Sequence, residues 1–596
     1  MSAPSWDLSI AYLNLSDPKI DQDIESIEAA ISDLNSAQSY AIETLQNALC
    51  LLQKSSVTLA TISSYAGCRS AVDAQDPEAK NLAVRMDALG AKLAQSFSPY
   101  QDKIINLDAP QFVSLLSGNQ QTGELHSFQF QLEQQRSLKS QRLSVKEEQL
   151  LSAMNVDGRN AWGRLYNNLT GTLEVTLNLA DGTQETIGLA SAASLLYGAD
   201  QQRREPAWKA IKAVMKTHQQ SIAAILNALA GSRLSEYEKR SHTQKVDFLD
   251  PSLHNSRIEK QTLEALMQVA YDNRHVGQKA GLLMAKMFKT PTLDPWDELA
   301  AMPAVEGEVA SQYSFDEAII IIRDAFAGID EEMGEFVDMM VANKLIDAAP
   351  QNNKRLGAFC SKFADTRTPL VFMTWGGSMS DLITLAHELG HAFHNWVMKE
   401  LPVAQSSYPM TLAETASIFA ENVVRDALME KAKSDHDKRL MLWEEAQSAL
   451  ALIINIPVRF EFEKAFYKQR SEGEFTPEQL SELMDKTWTD WYGDCSKQSN
   501  EMFWASKLHF SISSVSFYNY PYLFGYLFSI GVYAQREKKG ASFYKDYKAL
   551  LLDTGRMSAE QLVEKHLGMD IRQPEFWQQS LDSVNEQLEQ FALLVE

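Results

Sequence analysis

Two histidines four residues apart are the strongest chemical feature of this sequence. Residues 387–391 read His-Glu-Leu-Gly-His within a stretch that has helical spacing. On a helix, residues i and i+4 share one face, so His387 and His391 can direct two imidazoles at one point, as a tetrahedral zinc ion requires. Glu388 could then reach a metal-bound water. The alternative interpretation is a hydrogen-bonded pair of histidines in the protein core.

A catalytic zinc site needs a third protein ligand, and two arrangements could supply it. The first, His-Glu-x-x-His-x-x-Gly-x-x-His, fails because His394 and Val397 occupy the positions of its glycine and last histidine. The second takes a glutamate from a following helix, where Glu414 and Glu421 lie seven residues apart and would share a face. We predict that Glu414 is the third ligand and that Glu421 orients a ligand histidine. The alternative for each is an ordinary surface carboxylate.

A third histidine, His394, also faces the metal side of the expected helix. At 1.5 Å per residue it lies ~10 Å along the helix from His387, too far for both to bind one ion. We therefore predict that His394 is a hydrogen-bonding neighbour of the site, with a structural rather than a catalytic role.

The elements before the histidines must position them. The segment from Thr368 to Trp375 is β-branched and aromatic, and Gly376 and Gly377 end it. Residues 378–381 then supply N-cap candidates for the histidine helix. A strand with an unpaired edge could bind an extended peptide as an added strand, which makes Gly376 and Gly377 candidates for substrate binding. The alternative is a structural edge strand with no role in binding.

The rest of the chain has mainly helical spacing, so we predict a mainly α fold. One β-hairpin is expected where alternating residues flank Asp181-Gly182. We place a domain boundary just after it. The predicted organisation is a helical segment over residues 1–110, a helical domain ending in the hairpin over residues 111–195, and the metal-binding domain over residues 196–596.

Composition limits the class of protein further. Across 596 residues the net charge is −23, which disfavours binding to nucleic acid. Four cysteines without paired spacing indicate reduced thiols, and the N-terminus lacks a signal-peptide pattern. No apolar stretch reaches the ~20 residues that a membrane span requires. We expect a cytoplasmic protein that binds neither nucleic acid nor a membrane.

The histidine motif, the segment Leu412-Ala-Glu-Thr-Ala-Ser and the aromatic C-terminal stretch resemble the oligoendopeptidase F branch of the thimet oligopeptidase family. The resemblance extends over about residues 110 to 580. It implies a large, two-lobed helical metallopeptidase with a deep central channel and a small β-sheet beside the zinc helix. It also implies one zinc ion per chain bound by His387, His391 and Glu414, with Glu388 as general base.

The resemblance further implies a histidine and tyrosines across the cleft from the zinc, where they stabilise the reacting carbonyl. The matching region contains one histidine and four tyrosines, although the histidine is farther from the tyrosines than in more familiar branches. Several of these tyrosines are expected to be core residues. The catalytic candidates are His509, Tyr526 and Tyr518, and the candidates for substrate binding are Tyr520 and Tyr522.

The expected function is zinc-dependent hydrolysis of internal bonds in short, unfolded peptides by a monomer or weak homo-oligomer. Two alternatives remain at this stage. One is a dipeptide-releasing carboxypeptidase of the same family, and the other is a non-catalytic helical protein with a metal site. The second alternative is disfavoured because structural zinc sites usually have four protein ligands.

Overall fold

A computed structural model describes residues 3–305, 311–432 and 434–595. Within them the fold is mainly α, as predicted, with 26 α-helices and five short strands. The helices are α1 Pro18–Ser36, α2 Ile42–Val72, α3 Pro77–Asn106, α4 Ala109–Ser117, α5 Gln129–Ser137, α6 Val145–Asp157, α7 Arg159–Thr172, α8 Leu189–Leu195, α9 Gln201–Thr217, α10 Gln219–Arg240, α11 Asp250–Ser256, α12 Lys260–Asp272, α13 Arg274–Met287, α14 Phe315–Ala327, α15 Glu331–Ala342, α16 Met379–Val397, α17 Met410–Ala413, α18 Ser417–Lys431, α19 Asp435–Ala449, α20 Ile456–Arg470, α21 Pro477–Tyr492, α22 Phe503–Ser506, α23 Tyr520–Lys539, α24 Phe543–Asp553, α25 Ala559–Leu567 and α26 Pro574–Val595. The strands are β1 Glu174–Asn178, β2 Gln184–Gly188, β3 Ile346–Asp347, β4 Phe359–Phe363 and β5 Thr368–Phe372.

The chain divides into two compact units, each assembled from segments that are distant in sequence. Unit 1 comprises Met1–Lys139, Ser311–Lys431 and Gln535–Gly568. Unit 2 comprises Ser140–Ala310, Ala432–Ala534 and Met569–Glu596. These units are defined by which segments pack together. They do not test the three consecutive domains inferred from the sequence, which stay a prediction.

Unit 1 contains a three-stranded sheet beside helix α16. Its order is β3-β5-β4, with β3 parallel and β4 antiparallel to β5. Backbone hydrogen bonds continue past β5, because Met373 and Trp375 donate to the carbonyls of Asp347 and Ala348. The predicted unpaired edge on the strand that begins at Thr368 is therefore wrong. This strand is the centre of the sheet, and β4 is an edge strand.

Unit 2 contains the predicted hairpin. Strands β1 and β2 pair antiparallel from Glu174 opposite Gly188 to Asn178 opposite Gln184. The inward side chains Val175 and Leu177 pack against helices α8 and α9 through Ala192 and Ala207. The alternation in the sequence therefore predicted the hairpin, and its apolar residues Val175 and Leu177 form the buried face.

Two further expectations concern the whole chain. All four cysteines are free thiols in the structure. Across the described residues, none of the helices combines the length and the apolar character that crossing a membrane demands.

Candidate metal centre and active site

Helix α16 begins at a strong N-terminal cap and carries both histidines of the motif. The Ser378 side chain accepts from the backbone N–H of Asp381, and Asp381 accepts from the backbone N–H of Ser378 at 3.0 Å. This reciprocal pair satisfies N–H groups that the first helical turn leaves unpaired. The apolar face of the helix is buried in unit 1, which fixes its rotation and the direction of the polar face.

Three side-chain atoms of unit 1 converge on one point. The Nε2 atoms of His387 and His391 lie 3.1 Å apart, and each lies 3.5 Å from Oε2 of Glu414. The two imidazole planes are at 87° to each other. Ligand atoms about 2.1 Å from a tetrahedral zinc ion lie ~3.4 Å apart, so the triangle has the dimensions of a three-ligand face. The donor set therefore fits a divalent metal ion and leaves a fourth position for water or substrate.

Neighbouring groups fix the orientation of each ligand. His387 Nδ1 lies 2.6 Å from Oε1 of Glu421, His391 forms a backbone hydrogen bond to Ala413, and Ser417 Oγ donates to Oε2 of Glu414 at 2.6 Å. Partners of this kind set the histidine tautomer and direct Nε2 at the metal position. The predicted partnership of Glu421 with a histidine is thus present in the geometry. Sequence reasoning missed Ala413 and Ser417.

The sequence spacing suggests that the two glutamates share one helix face, but in the structure they do not. Glu414 follows the last residue of the four-residue helix α17, and Glu421 lies in α18, with a turn between them. That turn points Glu414 at both histidines and lets Glu421 approach His387 from behind. The seven-residue spacing pointed to two glutamates that the structure does bring to the histidines, but through a turn and not through a shared helix face.

The carboxylates around His387 outweigh its burial. Burial disfavours the imidazolium, but the hydrogen bond to Glu421 and the charges of Glu421 and Glu414 raise the pKa of His387 to about 9. A site that stabilises positive charge on a half-buried imidazole is also a site that attracts a cation.

Glu388 lies beside this triangle as a buried, unpaired carboxylate. It is only 6% exposed, and its Oε2 is buried without a hydrogen-bond partner among the described residues. Burial raises the pKa of Glu388 to about 7, opposed by His387 and assisted by Glu414 and Glu421. A carboxyl group with a pKa near neutrality can both accept and return a proton.

Gly390 is a positioning residue that sequence reasoning missed. A Cβ at this position would lie 2.5 Å from the carbonyl oxygen of Ala416 and 2.7 Å from Cα of Ser417. Only glycine lets α16 approach the start of α18 this closely, and this approach brings Glu414 to the histidines. The histidine motif itself contained the signal for this close packing, because the residue before His391 is a glycine.

The other predicted residues of unit 1 lie outside the triangle. His394 is wholly buried, stacks on Tyr408 with ring centroids 4.1 Å apart, and has Nε2 2.9 Å from Oγ1 of Thr554. It has a hydrogen-bonding role in the core and does not face the metal position. Gly376 donates its N–H to Asp381, and Gly377 has a φ of 88° and accepts a backbone hydrogen bond from Tyr313. Both glycines form the turn before α16.

In unit 2, three of the predicted residues form an aromatic cluster. His509 packs edge-on against Tyr518 and parallel to Tyr522, with ring centroids 5.3 and 5.9 Å away. His509 Nδ1 lies 2.7 Å from Oδ1 of Asn519. Burial lowers the pKa of His509 to about 4, and nearby Lys507 acts in the same direction. The imidazole is therefore neutral at physiological pH.

The remaining two tyrosines are core residues of unit 2. Tyr520 is wholly buried, and its hydroxyl forms hydrogen bonds with Ser252 and Ser256. Tyr526 is 3% exposed and donates to Oε1 of the buried Glu445 at 2.5 Å. The structure does not bring either hydroxyl to the His509 cluster. Several of the four tyrosines were expected to be core residues, and the burial of Tyr520 and Tyr526 confirms this expectation.

Comparison with known sequences decides the family. A family model described as Peptidase family M3 matches residues 194–583, which is well over half of the chain. The chain belongs to peptidase family M3. A second model, described as Oligopeptidase F, matches residues 104–174.

Three relatives of this M3 peptidase are distant in sequence but match it over most of their length. The group B oligopeptidase PepB of Streptococcus agalactiae serotype III (strain NEM316) is 23% identical over 533 residues, which cover 87% of this chain and 85% of that protein. The crystal structure of oligoendopeptidase-F from Enterococcus faecium has a TM-score of 0.72 at 17% identity and covers 97% of this chain and 98% of its own. A Chlamydophila abortus protein of known crystal structure has a TM-score of 0.85 at 19% identity and covers 100% of both chains.

These matches confirm the family and the enzyme class that the sequence predicted. The protein is a metalloendopeptidase of family M3, and its residues 104–174 match the Oligopeptidase F model. Membership of a metallopeptidase family implies a metal ion, and His387, His391 and Glu414 form a cluster suited to it.

Proposed function

We propose that this M3 peptidase is a zinc-dependent oligoendopeptidase that hydrolyses internal bonds of short, unfolded peptides. The observation that supports the proposal most is the triangle of His387, His391 and Glu414, with the unpaired Oε2 of Glu388 beside it. Two imidazoles and one carboxylate are the ligand set of many catalytic zinc sites. The ligand types favour zinc over harder ions such as magnesium.

The chemistry follows from the charges of the site. A zinc ion bound there would lower the pKa of its water from 15.7 toward ~7 and polarise the scissile carbonyl. Glu388 accepts the proton of the attacking water and returns it to the leaving nitrogen. Its buried carboxylate is suited to both steps because its pKa is about 7. Glu421 holds His387 in the tautomer that presents Nε2 to the metal.

A hydroxyl donor is proposed to stabilise the developing oxyanion. Tyr518, which the sequence predicts to be catalytic, is the candidate in the His509 cluster, and it is part-exposed with its ring packed against the imidazole. Tyr526 is less suitable, since its hydroxyl is buried and donates to Glu445. Tyr518→Phe should lower kcat by roughly 10²-fold or more if this hydroxyl is the donor. An unchanged kcat would move the role to Tyr522 or to another group.

The test of the function is a product analysis with a defined peptide. The enzyme is incubated with a ten-residue peptide, and the products are identified by mass spectrometry at low conversion. Complementary pairs of internal fragments are expected as first products. Stepwise loss of dipeptides from the C-terminus would instead establish the carboxypeptidase alternative, and an unchanged peptide would refute peptidase activity on this class of substrate. Metal content measured on the same sample identifies the ion.

Several properties of the protein remain predictions from its sequence. They are a cytoplasmic location, a monomeric or weakly associating state, and no binding of nucleic acid. The second alternative, a non-catalytic metal-binding protein, has no support once membership of a peptidase family is established.

A further inference from the structure

Asn519 lies between His509 and a half-buried arginine in unit 2. Its Oδ1 is 2.7 Å from His509 Nδ1 and 3.4 Å from a guanidinium nitrogen of Arg459. Asn519 is wholly buried, immediately before helix α23, and it is two residues from Phe517, whose φ is 55°. The amide therefore has little freedom to move away from either neighbour.

Arg459 is itself fixed from the other side. Its Nε donates to Oδ1 of Asn455 at 2.8 Å, and Asn455 Nδ2 donates to the hydroxyl of Tyr492 at 2.9 Å. The Tyr492 hydroxyl donates to Oε2 of Glu298 at 3.0 Å. Asn455 ends a six-residue π-helical stretch, residues 450–455, a feature that occurs often at functional sites. The chain of hydrogen bonds thus runs without interruption from Glu298 to His509.

The guanidinium determines which way the Asn519 amide faces. An arginine only donates hydrogen bonds, so the amide atom that faces Arg459 must be the oxygen. That same oxygen faces His509, so the imidazole nitrogen opposite it must carry a hydrogen. His509 therefore has its proton on Nδ1, and Nε2 is left with a lone pair. Turning the amide over would place its nitrogen against two donors.

The surroundings keep this imidazole neutral. Burial and the positive charges of Lys507 and Arg459 together lower the pKa of His509 to about 4, and the hydrogen bond to Asn519 opposes them. The rings of Tyr518 and Tyr522 also pack against the imidazole. Above about pH 5, His509 therefore has no proton on Nε2 to donate.

We propose that Asn519, fixed by Arg459, is a positioning residue that holds His509 with its proton on Nδ1, so that Nε2 accepts a hydrogen bond from a substrate N–H. His509 would then bind the peptide backbone, and the donor to the oxyanion would be a tyrosine hydroxyl. The role toward substrate rests on the function proposed above. The tautomer itself does not.

Nitrogen-15 NMR of the zinc-loaded enzyme, labelled at its histidines, tests the tautomer directly. The spectrum of His509→Gln identifies the signals of His509. At pH 7.5 the expected spectrum has a protonated Nδ1 and an unprotonated Nε2. In Asn519→Leu this pattern should be lost, whereas Ser514→Ala, at an exposed position in the same segment, should keep it. A protonated Nε2 in the unsubstituted enzyme, or unchanged signals in Asn519→Leu, would overturn the proposal.

Asn519→Asp provides a second test, which applies even if the leucine variant does not fold. A carboxylate retains the acceptor and adds a negative charge, so His509 should keep its proton on Nδ1 and titrate at higher pH than in the unsubstituted enzyme. An unchanged titration of His509 would contradict the proposed contact.

Activity provides the link to catalysis. Asn519→Leu should lower kcat/KM for a quenched fluorescent peptide about 10- to 100-fold with unchanged metal content, as expected when a partner that orients a histidine is lost. Normal turnover with an altered tautomer would refute the role toward substrate. An enzyme that cleaves no peptide would refute the proposed function and leave the NMR result standing.

Discussion

At the scale of single residues, Glu388 has the environment of a proton carrier. It is buried, its Oε2 has no partner among the described residues, and it directly follows His387 of the metal triangle in sequence. A carboxylate in such a place is costly unless a bound group uses it, since burial disfavours its charge. Catalysis is therefore the simplest reason for its presence.

Substituting this carboxylate should separate metal binding from turnover. Glu388→Gln keeps the volume of the side chain but cannot take a proton, so we expect full metal content with kcat lowered about 10²- to 10⁴-fold. Glu400→Gln, at an exposed glutamate just after the same helix, should behave as the unsubstituted enzyme. Peptidase activity close to normal in Glu388→Gln would exclude this residue as the base.

Glu421 should affect metal affinity rather than chemistry. Its contact with His387 fixes the tautomer, so Glu421→Gln is expected to weaken zinc binding about 10- to 100-fold in a competition titration with a chromogenic chelator. Glu430→Gln, at an exposed position of the same helix, is the matched control. Equal affinities in the two variants would show that the 2.6 Å contact has no role in holding the ion.

At the scale of elements, the site depends on how closely α16 and α18 pack. The sequence predicted the start of α16 well, because Ser378 and Asp381 form a local cap that needs no tertiary information. It could not predict that Glu414 leaves the helical path, since the turn after α17 is stabilised by contacts with α16 itself. The sheet edge was misplaced for a similar reason: β3 has two residues and β4 lacks a clear alternation, so neither gave a periodic signal.

Gly390→Ala tests that close packing. The added methyl would lie 2.5 Å from the Ala416 carbonyl, so the helices must separate at a cost of about 1–3 kcal/mol, and Glu414 must withdraw from the histidines. Lower thermal stability together with loss of bound metal is expected. Gly67→Ala is the control, because its Cβ would have no neighbour within 4 Å in helix α2 and should maintain or raise stability. Normal zinc content in Gly390→Ala would show that the site tolerates the separation.

Glu463 of helix α20 supports the segment that carries Tyr518 and Asn519. It accepts the backbone N–H of Phe517 at 2.8 Å, and its Oε2 is buried without a described partner. Burial raises the pKa of Glu463 from 4.5 to about 7. A raised pKa means that the folded state binds this proton more tightly than the unfolded state. The stabilisation that comes from the protonated Glu463 is therefore complete below pH 4.5 and is lost as the pH rises through about 7.

The corresponding prediction is that Glu463→Gln and the unsubstituted protein differ in stability by an amount that depends on pH. Glu463→Gln, which stays uncharged at every pH, should be about as stable as the unsubstituted protein at pH 4.5 and more stable at pH 8. A pKa shift from 4.5 to about 7 corresponds to a difference in the free energy of unfolding on the order of 3 kcal/mol. Urea unfolding at the two pH values measures it. A difference that does not change with pH would show that Glu463 titrates normally in the folded protein.

At the scale of the whole molecule, the sequence predicted the fold class and the family from local signals, and it pointed to the three side chains that the structure brings together as a possible metal site. The histidine motif, the helix cap and the Asp-Gly hairpin each lie within a few residues. Contacts between distant segments were beyond such reasoning. His394 bonds to Thr554, and Arg459 reaches Asn519 sixty residues away, so their roles emerge only once the chain is folded. For the same reason the sequence could not separate the core tyrosines Tyr520 and Tyr526 from Tyr518 and Tyr522.

The central claim is that one divalent cation, bound by two imidazoles and one carboxylate, is required for peptide cleavage. The most direct test measures zinc per chain and hydrolysis of a quenched fluorescent peptide in one preparation, before and after exhaustive chelation and after zinc is restored. We predict one zinc ion per chain, loss of activity in parallel with loss of zinc, and recovery on its return. Cleavage that persists at the full rate in the metal-free protein would contradict the account.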